Sequence, residues 1–189
     1  MSNLSSFFIL VFLCACLPLS AAVLFDNGRS DYVIVQGRNA RAVEKTAAKE
    51  LREHVKQMGG VDLPVVESLP AGRKAIRITS DLLEKDDTVI LKIQEDGDLL
   101  ISGSRKRGAL YAVYTLLEEY GGVRWWTPSV THVPWKKRWE IPKLDYRYTS
   151  PFDVREVFYR PIWKDEVFAA RMKNNGHFGV TTAAYGGHN

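Results

Sequence analysis

The sequence predicts an α/β protein: a mixed-sheet α/β sandwich carrying two helices, followed by the opening strand–helix–strand of a second, parallel array. Three observations lead there. Apolar residues recur at helical spacing in residues 39–60 and 105–120, and each stretch runs into a Gly-Gly pair. Short β-branched runs lie around these stretches, stopped by Gly, Pro or Asp-Gly. After a proline-rich break, the alternation of strand and helix patterns starts again at residue 151.

The first strand is "YVIVQG" (32–37), β-branched and stopped by glycine. In "NARAVEKTAAKELREHVKQMGG" (39–60), Asn39 is the expected cap and Val43, Ala47, Leu51, Val55 and Met58 form one apolar face. His54 falls among the charged residues of that helix and is expected in solvent. "LPVVES" (63–68) and "AIRITS" (75–80) read as strands, and "TVILKIQEDGDLLISGS" (88–104) reads as a hairpin turning on Asp96–Gly97. Ser104 is the expected cap of the second helix, 105–120, whose stripe is Leu110, Val113, Leu116, Leu117 and Tyr120. "VRWWTP" (123–128) supplies a last strand for the sheet.

Residues 127–150 carry Pro128, Pro134 and Pro142 and little periodicity, so they read as an extended linker anchored by Trp135 and Trp139. Beyond it, "PFDVREVFY" (151–159) alternates like a strand, "KDEVFAARMKNNG" (164–176) like a helix and "GVTTAAY" (179–185) like a strand. The expected organisation is a leader over 1–22, the sandwich over 23–126, the linker over 127–150 and the start of an array over 151–189.

The leader "MSNLSSFFILVFLCACLPLSAA" holds no charged side chain, is apolar from Phe7 to Leu17 and closes on small residues, as a secretory signal cut near Ala22 does. Its apolar run is short for a bilayer span, which needs about 20 residues. "LCAC" leaves lipidation at Cys16 as an alternative. Export to the periplasm, cell surface or medium follows on any of these routes. Both cysteines, Cys14 and Cys16, lie in this leader, so the chain after Ala22 has no disulfide or thiolate metal site. The formal charge is +4, but the signs are interleaved and form no basic stripe, which argues against a nucleic-acid partner. There is no phosphate-cradling glycine loop and no nucleophile elbow, and no two of His54, His132 and His177 have metal-ligand spacing. No cofactor is expected.

"GALYAVYTLLEEYGGVRWWTP", with "PFDVRE" and the closing "GGHN", resembles the start of secreted glycoside-hydrolase-like proteins. The chain is similar to the N-terminal α/β domain that precedes the catalytic (β/α)8 barrel of α-glucuronidases and family 20 β-hexosaminidases, and to uncharacterised bacterial secreted relatives. That resemblance implies a carbohydrate substrate and a non-catalytic N-terminal domain whose partner is the chain's own downstream barrel. A complete barrel needs about 250 residues, and 39 follow Ser150, so the catalytic carboxylates are expected elsewhere. The alternative is a carbohydrate-binding or protein-interaction module that uses Trp135 or Trp139.

Three residues are candidate substrate contacts. Strand parity turns Asp153, Arg155, Val157 and Tyr159 to one face, and the resemblance implies that Arg155 holds sugar hydroxyls, since "PFDVR" matches the family's Pro-aromatic-x-x-Arg strand. The family's next residue is glycine where this chain has Glu156. A structural pair between Arg155 and Asp153 or another barrel acid is the competing reading. Glu156 invites a general-acid role, but parity turns it outward. His188 and Asn189 follow Gly186–Gly187 at the strand end where (β/α)8 enzymes bind substrate, with a frayed terminus as the alternative. The tryptophans at 125, 126, 135, 139 and 163 read as anchors between layers or as sugar-stacking surfaces.

Overall fold

The computed structural model describes residues 21–83, 85–176 and 182–187. The expected leader through Ser20, together with His177, His188 and Asn189, lies outside the described residues.

The centre is a six-stranded mixed sheet. Its strands are β2 (Tyr32–Val35), β3 (Val65–Val66), β4 (Lys74–Leu82), β5 (Val89–Ile93), β6 (Leu99–Ser104) and β10 (Asp145–Tyr148), in the spatial order β10-β5-β6-β4-β2-β3. Strands β3, β2, β4 and β6 run parallel, while β5 and β10 are antiparallel to their neighbours. Register aligns Ile34 with Ile76, Ile78 with Ile101, and Ile101 with Leu91, so one face of the sheet is continuously apolar and buried. On the other face Arg77, Thr79, Ile90, Lys92 and Leu100 are half-buried or exposed. A two-layer sandwich with one wetted sheet face is the result.

Helix α1 (Ala42–Gly59) lies on the apolar face and buries the predicted stripe from Val43 to Met58. It begins at Arg41, not Asn39: Glu44 reaches back to accept the Arg41 N–H at 2.8 Å. The other Glu44 oxygen accepts from Ser80 N and Oγ, both at 2.7 Å, which ties the helix start to the sheet. Gly60 at φ 69° closes the helix.

Helix α2 (Gly108–Thr115) is buried on every side, between the sheet and the later helices. Ser104 does not cap it. That residue ends β6, and its buried hydroxyl has no hydrogen-bond partner; a turn over 105–107 intervenes. From Leu116 to Gly121 the helix widens to π geometry before Gly122, at φ 80°, ends it. In the β5–β6 hairpin only Gly97 takes a positive φ, 85°, and Asp96 does not.

Residues 127–150 are extended but are more than a linker. They complete β7 (Arg124–Thr127) and supply β8 (Val130–His132), β9 (Arg138–Ile141) and β10. Strand β7, expected in the main sheet, pairs instead with β8 in a separate ribbon. Strand β9 pairs with β1 (Ala22–Asp26), which runs over the end assigned to the leader, and buries Trp139 against Phe25. Trp135, expected as a second anchor, is 73% exposed.

After Ser150 the expected strand over 151–159 forms no ladder among the described residues. The helix expected over 164–176 is shorter, α4 (Glu166–Arg171), with Asp165 capping it through Phe168 N at 2.8 Å, and an unexpected short helix, α3 (Arg160–Lys164), precedes it. Ala183–Tyr185, assigned to a strand by pattern, is a single 3-10 turn. Ile162, Phe168, Ala169 and Ala170 nevertheless join the main core. Among the described residues no helix is long and apolar enough to cross a membrane.

Candidate functional site

Arg155 is positioned by the end of the chain folding back on the sandwich. Its backbone N–H donates to Asn175 Oδ1 at 2.6 Å, and its Nε and Nη1 donate to the carbonyls of Lys173 (3.1 Å) and Phe152 (3.2 Å). Nη2 donates to Asp87 Oδ2 at 2.7 Å. Three of its donors are therefore spent on structure, and the acid it pairs with is Asp87 of the sandwich. Asp153, the acid expected from sequence, pairs with Lys85 at 2.7 Å.

Asp87 sits in the β4–β5 turn at φ 69°, a left-handed conformation that aspartate tolerates better than most residues. Its side chain is 3% exposed and fully engaged. Oδ1 accepts from Arg107 Nε at 2.7 Å, and Oδ2 accepts from Asn175 Nδ2 at 2.6 Å as well as from Arg155. Burial pushes this carboxyl upward, but the hydrogen bonds and charges of Arg107 and Arg155 outweigh burial and hold it below the usual carboxylate range. A buried, ionised carboxylate that accepts three hydrogen bonds, two of them from guanidinium groups, is a structural clasp and not a proton-transfer group.

Above the clasp lies a half-open cleft of about 450 Å³. Its floor comes from β10. Tyr146 and Tyr148 sit opposite Leu91 and Val89 in the register, so they lie on the buried face of the sheet at its edge, beyond the reach of α2. One wall is α2 and its π turn, with Tyr111, Thr115, Glu119 and Tyr120; the other is Arg155, Met172 and Lys173. Tyr111 is fixed by donating to the Asn174 carbonyl at 2.8 Å, and the Arg155 guanidinium lies 5.9 Å from its ring centre. Lys173 pairs with Glu118 at 2.7 Å. Burial, and then the nearby Tyr120, Tyr148 and Glu119, raise the Tyr146 phenol.

A second buried polar group joins α1 to α4 on the far side of α2. His54, expected in solvent, is 2% exposed. Trp125 Nε1–H donates to its Nε2 at 3.2 Å, so the ring is neutral with its proton on Nδ1, which donates to the Glu50 carbonyl at 2.7 Å. The Glu50 carboxylate accepts from Arg171 at 3.0 Å. The spacing Ala47, Leu51, His54, Met58 is itself helical and was the available signal for this burial.

The other candidates are scattered. Glu156 is exposed and runs beside Gly176. Trp125 and Trp139 are core anchors, whereas Trp126 is 65% exposed. Trp163 packs edge-on to Phe158 at 4.1 Å. The cleft tyrosines were missed because each sits in a segment read for another purpose, Tyr146 and Tyr148 in the linker and Tyr111 and Tyr120 in the second helix.

No family model matches this sequence, and no curated protein matches it. Solved structures do. A family 115 4-O-methyl-α-glucuronidase with specificity for decorated arabinogalactans superposes with a TM-score of 0.53 at 15% identity, covering 80% of this chain and 24% of the enzyme. The N-acetyl-β-hexosaminidase of Streptomyces plicatus gives a TM-score of 0.51 at 17% identity, covering 84% of this chain and 32% of the enzyme. A mutant of that hexosaminidase gives 0.50 at 18% identity with the same coverage. The chain thus spans a quarter to a third of the length of these enzymes, and it has a glycoside-hydrolase-like fold.

Proposed function

We propose that this chain is the N-terminal, non-catalytic region of an exported carbohydrate-active enzyme, an α-glucuronidase-like glycoside hydrolase acting on polysaccharide. The observation that carries the reading is the asymmetry of coverage: most of this chain finds a counterpart in two kinds of glycoside hydrolase, yet accounts for 24% and 32% of them. Export is supported by the uncharged, apolar leader closing on Ser20, Ala21 and Ala22. On this reading residues 151–189 lead into a (β/α)8 barrel, and the catalytic acids belong to later barrel strands. Arg155, His188 and Asn189 are its candidate substrate contacts. Arg155 lies at the rim of the cleft, its guanidinium held by Asp87 and by the Lys173 and Phe152 carbonyls, and the two N–H donors that these bonds leave are the ones it would offer a substrate.

The test compares the full chain with the product of the longest reading frame containing it, both assayed on aryl glycosides and glucuronoxylan. The longer product is expected to turn over substrate and residues 1–189 to be inert. Turnover by residues 1–189 alone, or a frame that stops at Asn189, overturns the proposal.

A further inference from the structure

The cleft above the clasp has recognition groups that the fold does not use. Among the described residues the hydroxyls of Tyr120, Tyr146 and Tyr148 and the carboxylate of Glu119 make no hydrogen bond within the protein, although all four line one concave surface. Thr115 and Ser150, by contrast, spend their hydroxyls on the carbonyls of Tyr111 and Phe152. The unused groups face a space of about 450 Å³, in the range of small-ligand sites, which run from about 300 to 1,000 Å³.

The charges around this space cancel. Arg107, Arg155 and Lys173 are matched by Asp87, Glu118 and Glu119, and the pairs Arg107–Asp87, Arg155–Asp87 and Lys173–Glu118 are all at 2.7 Å. A phosphate, a nucleic acid or a uronate would find no uncompensated cation here. Three phenols do offer ring faces for the C–H surface of a pyranose and hydroxyl tips for its polar rim, with a carboxylate to accept from sugar hydroxyls. The wall that bears Glu119 and Tyr120 is the π turn, where the widened helix re-aims side chains; such turns recur at functional sites.

We infer that this tyrosine-floored cleft binds a neutral saccharide, as a glycan-holding site. The choice of saccharide over another neutral ligand rests on the glycoside hydrolase reading above; the existence of the site does not. Tyr148 forms the outer floor and Tyr146 the inner one, Tyr120 stands on the wall, and Glu119 is the polar rim. The Asp87 clasp keeps the Arg155 wall in place.

The experiment is calorimetric titration of the full chain with cellohexaose, xylohexaose, mannohexaose and chitohexaose, alongside trigalacturonate and a proline-rich decapeptide. At least one neutral hexasaccharide is expected to bind with a dissociation constant of about 1 mM or tighter. Tyr148→Ala should weaken that binding at least tenfold, Tyr148→Phe should retain most of it, and Arg38→Ala, at the opposite edge of the sheet, should leave it unchanged. Tyr148 is 47% exposed, so its truncation is expected to leave the melting temperature in place, checked by circular dichroism. No binding by any neutral hexasaccharide, tighter binding of trigalacturonate or of the peptide, or loss on Trp135→Ala with Tyr148→Ala unaffected would each overturn the inference. Failure here leaves the accessory-domain proposal intact, because that is judged by turnover in the longer product. Failure of that proposal leaves this binding measurable.

Discussion

Two buried ionisable residues set how this protein responds to acid. His54 is held neutral chiefly by burial, with the Arg171 charge acting the same way and the Glu50 carbonyl, Glu50 and Glu53 opposing; its folded pKa lies below the ordinary 6.5. The unfolded chain therefore binds more protons than the folded one just below pH 6.5. The stability that His54 contributes is complete above that pH and is lost as pH falls through the folded value. Asp87 has the same sign in a lower window, since Arg107 and Arg155 hold it below its ordinary 3.8; its contribution is lost only as pH falls below that value. Thermal melts of the wild type should show a falling Tm between pH 7 and pH 5 and a second fall below pH 4. His54→Gln cannot titrate and should flatten the first fall while keeping the second. An unchanged slope between pH 7 and pH 5 in that variant would show that another group is responsible. Neither residue's partners were legible from sequence, although helical spacing with Ala47, Leu51 and Met58 signalled the burial of His54: Trp125 lies 71 positions from His54, and the Arg155–Asp87 pair spans 68. Only the types of side chain, not the partners, are local information.

At the scale of elements, the strongest constraint is the crossing of β6 and α2. The strand passes so close under the helix start that the Gly103 and Gly108 backbones touch, and a Cβ on Gly108 would run into the Thr88 carbonyl and the Gly103 backbone. Backbone on both sides of the contact leaves nothing flexible to give way. Gly108→Ala would favour the helix by propensity alone, by about 1 kcal/mol, yet is expected to destabilise the protein by about 2 kcal/mol or more because overpacking wins. Urea denaturation measures this directly, and a stability gain in the variant would show that the two backbones can separate. Periodicity located α1 because it buries one regular face, and apolar runs stopped by Gly, Pro or Asp-Gly located α2 and the four parallel strands. It failed after residue 127, where Pro128, Pro134 and Pro142 masked three strands whose partners, β1, β5 and β7, lie elsewhere in the chain. The pattern of a strand at 151–159 was present, but a strand needs a neighbour, and none stands beside it among the described residues.

On the scale of the whole molecule, composition divided the chain near residue 150, whereas packing joins what lies on either side. Ile162 and Phe168, 3% and 5% exposed, enter the same core as α1 and α2, and Ala169 and Ala170 are fully covered. Among the described residues four ion pairs cross the junction: the exposed Lys85–Asp153, and Arg155–Asp87, Arg171–Glu50 and Lys173–Glu118, each of these three with a buried or half-buried partner. Burying an isoleucine and a phenylalanine is worth roughly 1.5–3 kcal/mol each, and ordering the tail costs part of that gain. Truncation after Ser150 also leaves Asp87 with one guanidinium in place of two and uncovers the Glu50 carboxylate, whose buried charge then lacks its partner. The truncated chain should therefore lose about 3 kcal/mol of stability, near 10 °C in Tm for a domain of this size. Amide exchange should quicken at α2 and at the His54 turn of α1, while β4 and β6 stay protected. An unaltered Tm would mean that residues 151–176 dock without stabilising the sandwich. The tail would then be a passenger on the cleft it walls, not part of the unit that holds it open.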